Sequence, residues 1–171
     1  MGCSCSGLWV APKSFGDRHG DTSLPDTREA AVLGQAALES GWGKHAPRFN
    51  FFGMKARASD PEHSRQLLRT REVMKRPDVK FPEVISVTPR PDGRYDYVVR
   101  DWFRAYPDAQ GSFDDHGNLL RSRPRYARAF DFVHDAYAFA TEVAKGGYAT
   151  APNYAQVLHS VMRTLEKAGW S

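Results

Sequence analysis

The chain has 171 residues with a formal net charge of +4, and 41% of its residues are hydrophobic. This length and composition predict one soluble domain with a core of its own. No apolar run is long enough to cross a bilayer, and no signal peptide is visible in the printed residues. The two cysteines, Cys3 and Cys5, are too close to the start to cross-link a fold, and the charge suits an anionic partner.

The first part of the chain predicts a tail followed by a strong helix. Residues 1–24 mix glycine, serine, proline and charge without periodicity, so we expect them to be poorly ordered and assign the folded domain to residues 25–171. Asp26 or Thr27 can cap a helix that Gly41 ends. Small apolar residues recur along this helix at helical spacing and give it a buried side.

The middle of the chain predicts a β-hairpin, and the last third predicts helices. Residues 84–87 form the first strand, residues 91–93 the turn and residues 95–99 the returning strand. One later helix is predicted to extend from Tyr126 to Gly146, and another to cover residues 154–165. Helices combined with a small antiparallel hairpin indicate an α+β fold.

Glu39 lies in the last turn of the first helix, just before Gly41, Trp42 and Gly43. A helix C-terminus carries partial negative charge and a nearby tryptophan excludes water, so both effects should raise the pKa of this carboxyl. A general acid in glycoside hydrolysis needs a raised pKa because it must keep its proton at working pH. This position suits a general acid, but a solvated glutamate near a helix end is the more common case, and the surrounding residues decide between the two.

A set of sequence blocks spreads over about residues 28–165. The blocks are Gln35-Ala36-Ala37-Leu38-Glu39-Ser40-Gly41-Trp42-Gly43, Asn50-Phe51-Phe52-Gly53-Met54-Lys55-Ala56, Phe103-Arg104-Ala105-Tyr106, Arg123-Pro124-Arg125-Tyr126-Ala127 and Gly147-Tyr148-Ala149-Thr150-Ala151-Pro152-Asn153-Tyr154-Ala155. In content and order they resemble glycoside hydrolase family 73, the bacterial β-N-acetylglucosaminidases of autolysins, phage lysins and the flagellar rod-cap peptidoglycan hydrolase.

This resemblance implies a lysozyme-like fold with a cleft between a mainly helical lobe and a small antiparallel β lobe. It implies hydrolysis of the β-1,4 bond between N-acetylglucosamine and N-acetylmuramic acid in peptidoglycan, and therefore action in the cell envelope. It also implies that Glu39 is the general acid. The family tyrosine falls on Tyr126, which is then expected in the cleft near the reacting sugar as a catalytic residue.

Several further residues are candidates for binding the glycan strand. Sugars stack on aromatic faces and hydrogen-bond to polar rims, which Trp42, Phe52, Tyr148 and Tyr154 can supply. Core packing is the alternative for each ring. Asn50 can either hydrogen-bond an acetamido group or hold the loop after the catalytic helix, and the sequence favours neither.

The other acidic candidates rest on weaker patterns. Family members carry a glutamate in a Thr-x-Glu-like stretch before the hairpin turn, and Glu72 matches it if residues 75–82 form an extra loop. We choose Glu72, with Glu83 as the alternative. Its separation from Glu39 would distinguish inverting from retaining chemistry, with a substrate-assisted route as a third option. Asp115 matches a family aspartate that begins a helix; it is a candidate for substrate binding, and N-capping is the alternative that we favour.

Other functional classes remain as alternatives. A muramidase or lytic transglycosylase also uses one glutamate at a helix end, and a degenerate domain would bind wall glycan without cleaving it. Nucleic-acid binding is not expected, because the arginines near Tyr126 accompany no recognised module. The histidine spacing fits no metal site and there is no phosphate loop, so we predict no metal and no cofactor. We expect a monomer that acts on bacterial peptidoglycan.

Overall fold

The first helix, α1, spans Arg28–Glu39 in the computed structural model, which describes residues 28–169. The predicted tail and the predicted helix caps lie outside the described residues. α1 packs against the last helix, α4 (Tyr154–Lys167), which agrees with the prediction for residues 154–165. The two helices approach closely at Gly34, where a Cβ atom would lie 2.8 Å from Met162 Cγ.

The β lobe is a three-stranded antiparallel sheet in the order β1-β3-β2. Its strands are β1 (Arg65–Met74), β2 (Glu83–Pro89) and β3 (Tyr95–Arg104). The predicted hairpin is confirmed as β2 and β3, and residues 75–82 form the predicted loop before it. β1 was not predicted as a strand. It pairs with β3 over all ten of its residues, so this strand depends on a partner that is distant in the sequence.

The remaining helices complete the helical lobe. α2 (Ala109–Ser122) begins at Asp108, whose side chain accepts a hydrogen bond from a backbone N–H of the first turn. A 3-10 segment (Pro124–Phe132) follows, and then α3 (Ala136–Lys145). The prediction of one continuous helix from Tyr126 was therefore wrong. A new helix begins after Asp135 because this side chain caps it by accepting hydrogen bonds from two backbone N–H groups.

Two apolar clusters position α1. One joins α1 to α3 and α4 and includes Leu158 and Met162, which are fully buried. The other joins α1 to the loop at Phe51 and to Phe113 of α2. Because α1 belongs to both clusters, the position of its last residue is fixed from two sides. Within residues 28–169, no helix combines the length and apolar character that a membrane crossing requires.

Candidate active site

The carboxyl group of Glu39 ends a short chain of hydrogen bonds. Tyr154 Oη donates to Glu39 Oε1 at 3.1 Å, and Gln35 Nε2 donates to Tyr154 Oη at 3.3 Å. Gln35 lies one helical turn before Glu39, so both side chains leave the same side of α1. Because the tyrosine oxygen accepts from the amide, its own proton is directed to the carboxylate. These two hydrogen bonds fix the orientation of the candidate acid.

The surroundings of Glu39 favour a retained proton. Desolvation raises the pKa of Glu39 above its ordinary value of 4.5, and the hydrogen bond from Tyr154 opposes that effect. Glu39 as a whole residue is still solvent-exposed, so a substrate oxygen can reach it. Burial raises the pKa of Tyr148 and Tyr154, and the charge of Glu39 adds to the effect, so both hydroxyls keep their protons.

The turn after α1 presents a tryptophan to solvent. Gly41, Trp42 and Gly43 all have positive φ angles, of 56°, 60° and 79°. Glycine adopts this conformation freely, whereas for Trp42 it costs about 1–2 kcal/mol. Ser40 Oγ accepts from the backbone N–H of Gly43 and secures the turn. Trp42, three residues after Glu39, is 46% exposed, so its ring is available for stacking on a sugar.

Three tyrosines form a row that ends at Glu39. The ring centroid of Tyr148 lies 6.3 Å from that of Tyr126 and 5.7 Å from that of Tyr154, which bonds Glu39. Tyr126 is only 1% exposed, and its ring packs so closely on Gly146 that a Cβ there would lie 2.6 Å from it. The row therefore connects the three tyrosines, but only Tyr154 contacts the candidate acid, and Tyr126 at the far end of the row is buried.

Phe52 and Asn50 serve the fold. Phe52 is 6% exposed and its ring stacks on that of His116 at 3.9 Å, which supports core packing, the alternative interpretation of this ring. Asn50 Nδ2 donates to the carbonyls of Met54 and Arg104, both at 3.0 Å, and its Oδ1 accepts from the Met54 N–H. These contacts support the second of the two interpretations of Asn50, in which it holds the loop after the catalytic helix.

Asp115 connects the two lobes. It lies in the second turn of α2, so the N-capping interpretation was wrong: Asp108 occupies that position. The Asp115 carboxylate accepts from Arg104 Nη1 at 2.7 Å and from the Tyr106 hydroxyl. Arg104 ends β3 and Tyr106 follows it, so this interaction ties the sheet to the helical lobe.

The predicted second carboxylate, Glu72, lies in a charged cluster on the sheet. Lys55 Nζ donates to Glu72 Oε1 at 2.8 Å and to Asp101 Oδ2 at 2.7 Å. The alternative, Glu83, is an exposed residue of β2 whose nearest ionic contact is Arg100 at 3.5 Å. The roles of Lys55 and Asp101 were not predicted, because Lys55 reaches the sheet through an isolated bridge to Phe103 and Asp101 meets β1 only through the pairing of β1 with β3.

An open groove of about 530 Å³ separates the turn after α1 from β1. It is lined by Gly43, Lys44, His45, Ala46, Pro47, Leu68 and Arg69. A separate apolar cavity of about 50 Å³ lies at the start of α1 and is not lined by any of the candidate site residues above. Nowhere in residues 28–169 do three or more histidine, cysteine, aspartate or glutamate side chains form a group that could bind a metal ion.

A family model described as glucosaminidase, or mannosyl-glycoprotein endo-beta-N-acetylglucosaminidase, matches residues 25–167. The chain belongs to the glucosaminidase family. The crystal structure of a peptidoglycan hydrolase mutant from Sphingomonas sp. A1 is similar to this glucosaminidase, with a TM-score of 0.58 and 28% identity. That similarity covers 82% of this chain and 88% of the other. The predicted α+β fold and the predicted glycoside hydrolase class are both confirmed.

Curated relatives of the glucosaminidase are longer proteins. It is 34% identical over 142 residues to the peptidoglycan hydrolase FlgJ of Salmonella typhimurium, a match that covers 79% of this chain and 39% of that protein. It is 28% identical over 143 residues to a probable N-acetylmuramidase of Lactococcus lactis, which covers 78% of this chain and 28% of that protein. The chain thus spans less than half the length of these relatives.

Proposed function

We propose that this glucosaminidase hydrolyses the glycan strands of bacterial peptidoglycan in the cell envelope. The bond cut is the β-1,4 linkage between N-acetylglucosamine and N-acetylmuramic acid, and Glu39 is the general acid. The observation that carries this proposal is the desolvated, hydrogen-bonded carboxyl at the exposed end of α1. The names of the Salmonella and Sphingomonas relatives support peptidoglycan as the substrate.

The contacts of Glu39 suit both halves of a proton transfer. Before the reaction, desolvation keeps the proton on the carboxyl. As the proton passes to the glycosidic oxygen, the bond to the anomeric carbon breaks and Glu39 becomes a carboxylate. The hydrogen bond from Tyr154 then strengthens, because hydrogen bonds to charged acceptors are about twice as strong as neutral ones. Tyr154 therefore stabilises the ionised product of the transfer.

Water completes the hydrolysis at the anomeric carbon, and we propose Glu72 as the group that activates it. Lys55 contacts Oε1 of Glu72, and Oε2 has no hydrogen-bond partner among the described side chains. That oxygen is available to accept the proton of a water molecule. Tyr126 and Tyr148 belong to the same site through the row of rings that ends at Glu39, and Trp42 offers a stacking surface at its edge.

A muramidase is the second candidate, because the Lactococcus relative is named a probable N-acetylmuramidase. The two activities cut alternate bonds of the same strand. They therefore differ in the sugar that carries the new reducing end, and this difference can be read directly from the products.

Digestion of purified peptidoglycan tests the proposal. The chain should release fragments with new reducing N-acetylglucosamine ends, and Glu39→Gln should lower kcat by about 10³-fold because a general acid contributes roughly 10²–10⁴-fold. Glu62→Gln, which changes an exposed carboxyl in a 3-10 turn, is the matched control and should keep the original rate.

Other digestion products would identify a different activity, and an unchanged rate would exclude the assigned acid. Reducing N-acetylmuramic acid ends would identify a muramidase, and anhydro-muramic ends would identify a lytic transglycosylase. Binding of the glycan without cleavage would identify a degenerate domain. Equal rates for the original chain and Glu39→Gln would contradict the assignment of the acid.

A further inference from the structure

His116 is a buried histidine that the proposed reaction does not use. It lies on α2 with no exposed surface, and its ring stacks on Phe52 at a centroid distance of 3.9 Å and an angle of 10°. Its Nε2 lies 3.1 Å from the hydroxyl oxygen of Tyr148. Its Nδ1 is buried and has no hydrogen-bond partner in the part of the chain that the structure describes.

These contacts favour one of the two ring nitrogens of His116 as the position of its proton. Burial lowers the pKa of His116 to about 3, so the ring is neutral and has one N–H group. If Nδ1 carried the hydrogen, a buried N–H would be left without an acceptor, which is rare in proteins. If Nε2 carries it, the N–H donates to Tyr148 and only a bare lone pair is unpaired. The geometry favours the second arrangement.

A donor at Nε2 determines what Tyr148 can do. Its oxygen accepts from His116, so its own hydrogen is free to donate to another group. Tyr148 has no second hydrogen-bond partner among residues 28–169. Its ring stacks at 29° on that of Tyr154, whose hydroxyl bonds Glu39, and burial and the charge of Glu39 both raise the pKa of Tyr148, so this hydroxyl is within electrostatic reach of the candidate acid.

We propose that His116 is a positioning residue of this glucosaminidase, which fixes the Tyr148 hydroxyl as a hydrogen-bond donor to the sugar held beside Glu39. The inference rests on the proposed function. Gln35 offers an independent parallel, since this buried amide donates to Tyr154 and leaves the proton of that hydroxyl for Glu39. Each tyrosine thus has its oxygen occupied by a buried donor and its proton directed to the site.

Nitrogen-15 NMR of the intact chain tests the first step, because the two ring nitrogens of a neutral histidine differ strongly in chemical shift when only one carries hydrogen. We expect the His116 ring in the Nε2–H form. A ring protonated at Nδ1 would overturn the proposal. This measurement needs no variant, so it decides the matter even if substitutions at His116 prevent folding.

Kinetics on purified peptidoglycan test the second step. His116→Phe keeps a flat ring against Phe52 but removes the donor, and it should lower kcat and kcat/KM about tenfold, as expected for one lost hydrogen bond. His116→Gln places an amide N–H near the position of Nε2 and should recover most of the rate. In a Tyr148→Phe background, His116→Phe should cause no further loss.

Two kinetic results would contradict the proposal. The first is an equal kcat for His116→Phe and His116→Gln. The second is a full additional loss of kcat when His116→Phe is added to Tyr148→Phe. Either result would mean that His116 acts by packing alone. These outcomes are distinct from failure of the proposed function, which would appear as an undiminished rate for Glu39→Gln.

Discussion

The two lobes of this chain hold their candidate catalytic carboxyl groups in opposite ways. Glu39 is connected through Tyr154 to the buried Gln35, and its carboxyl is desolvated. Glu72 lies in a partly exposed ion pair with Lys55 on the edge strand β1, and the strand at the opposite edge of the sheet, β2, is exposed at every residue. Exposed ion pairs contribute only about 0–1 kcal/mol, so Lys55 can release Glu72 at low cost. The helical lobe is preorganised, whereas the β lobe can adjust to substrate.

We expect the largest effect from substitution of the β-lobe glutamates. Glu72→Gln should lower kcat about 100-fold, because a missing general base costs roughly 10²–10⁴-fold. Glu83→Gln, the matched control on the exposed strand β2, should change kcat by less than about twofold, as expected of a surface substitution. Steady-state kinetics on purified peptidoglycan measures both. The reverse order of effects would assign the second carboxylate to Glu83.

The Tyr154→Phe substitution tests how the helical lobe holds Glu39. It removes the hydrogen bond that opposes desolvation, so the pKa of Glu39 should rise further. The alkaline limb of the kcat–pH profile, where the acid loses its proton, should then move to higher pH. The rate at the optimum should fall about tenfold, because one hydrogen bond to the ionised acid is lost.

Tyr137→Phe is the control for this change, since Tyr137 also donates to a glutamate, Glu166, but belongs to α3 on the surface. Its profile should match that of the original chain. An alkaline limb that stays in place in Tyr154→Phe, or moves to lower pH, would show that Tyr154 does not influence the proton of Glu39.

We expect the smallest effect from a substitution in the turn after α1, which should raise stability and weaken substrate binding. Trp42→Gly relieves a positive φ angle, and this should raise the free energy of unfolding by about 1 kcal/mol. The same change removes the exposed ring and should raise KM severalfold with kcat little changed. Thermal unfolding and kinetics measure the two sides. A variant that is less stable and binds normally would show that the indole packs on the fold.

The sequence identified local features better than distant contacts. The position of Glu39 at a helix end follows from neighbouring glycines, and the turn of the hairpin follows from a Pro-Asp-Gly stretch. By contrast, β1 depends on pairing with β3 along its length, and the burial of Phe52 depends on His116 of α2. Such contacts join elements far apart in the chain, so no local pattern reports them.

Two predicted helix boundaries were wrong for a similar reason. The helix expected from Tyr126 is interrupted because Asp135 caps the next helix with its side chain, although the apolar spacing continues past it. Asp115 was interpreted as a cap because aspartate favours that position, but Asp108 occupies it. Arg104 and Tyr106 bind Asp115 instead, which only the folded chain reveals.

Titration of the Glu39 carboxyl shows directly whether this group retains its proton because the fold desolvates it. Carbon-13 NMR can follow it, with Glu39→Gln used to assign the signal. We expect a midpoint above 4.5, the ordinary value for glutamate. A midpoint at or below that value would mean that Glu39 is ionised at lower pH than a free glutamate and cannot be the proton donor described here.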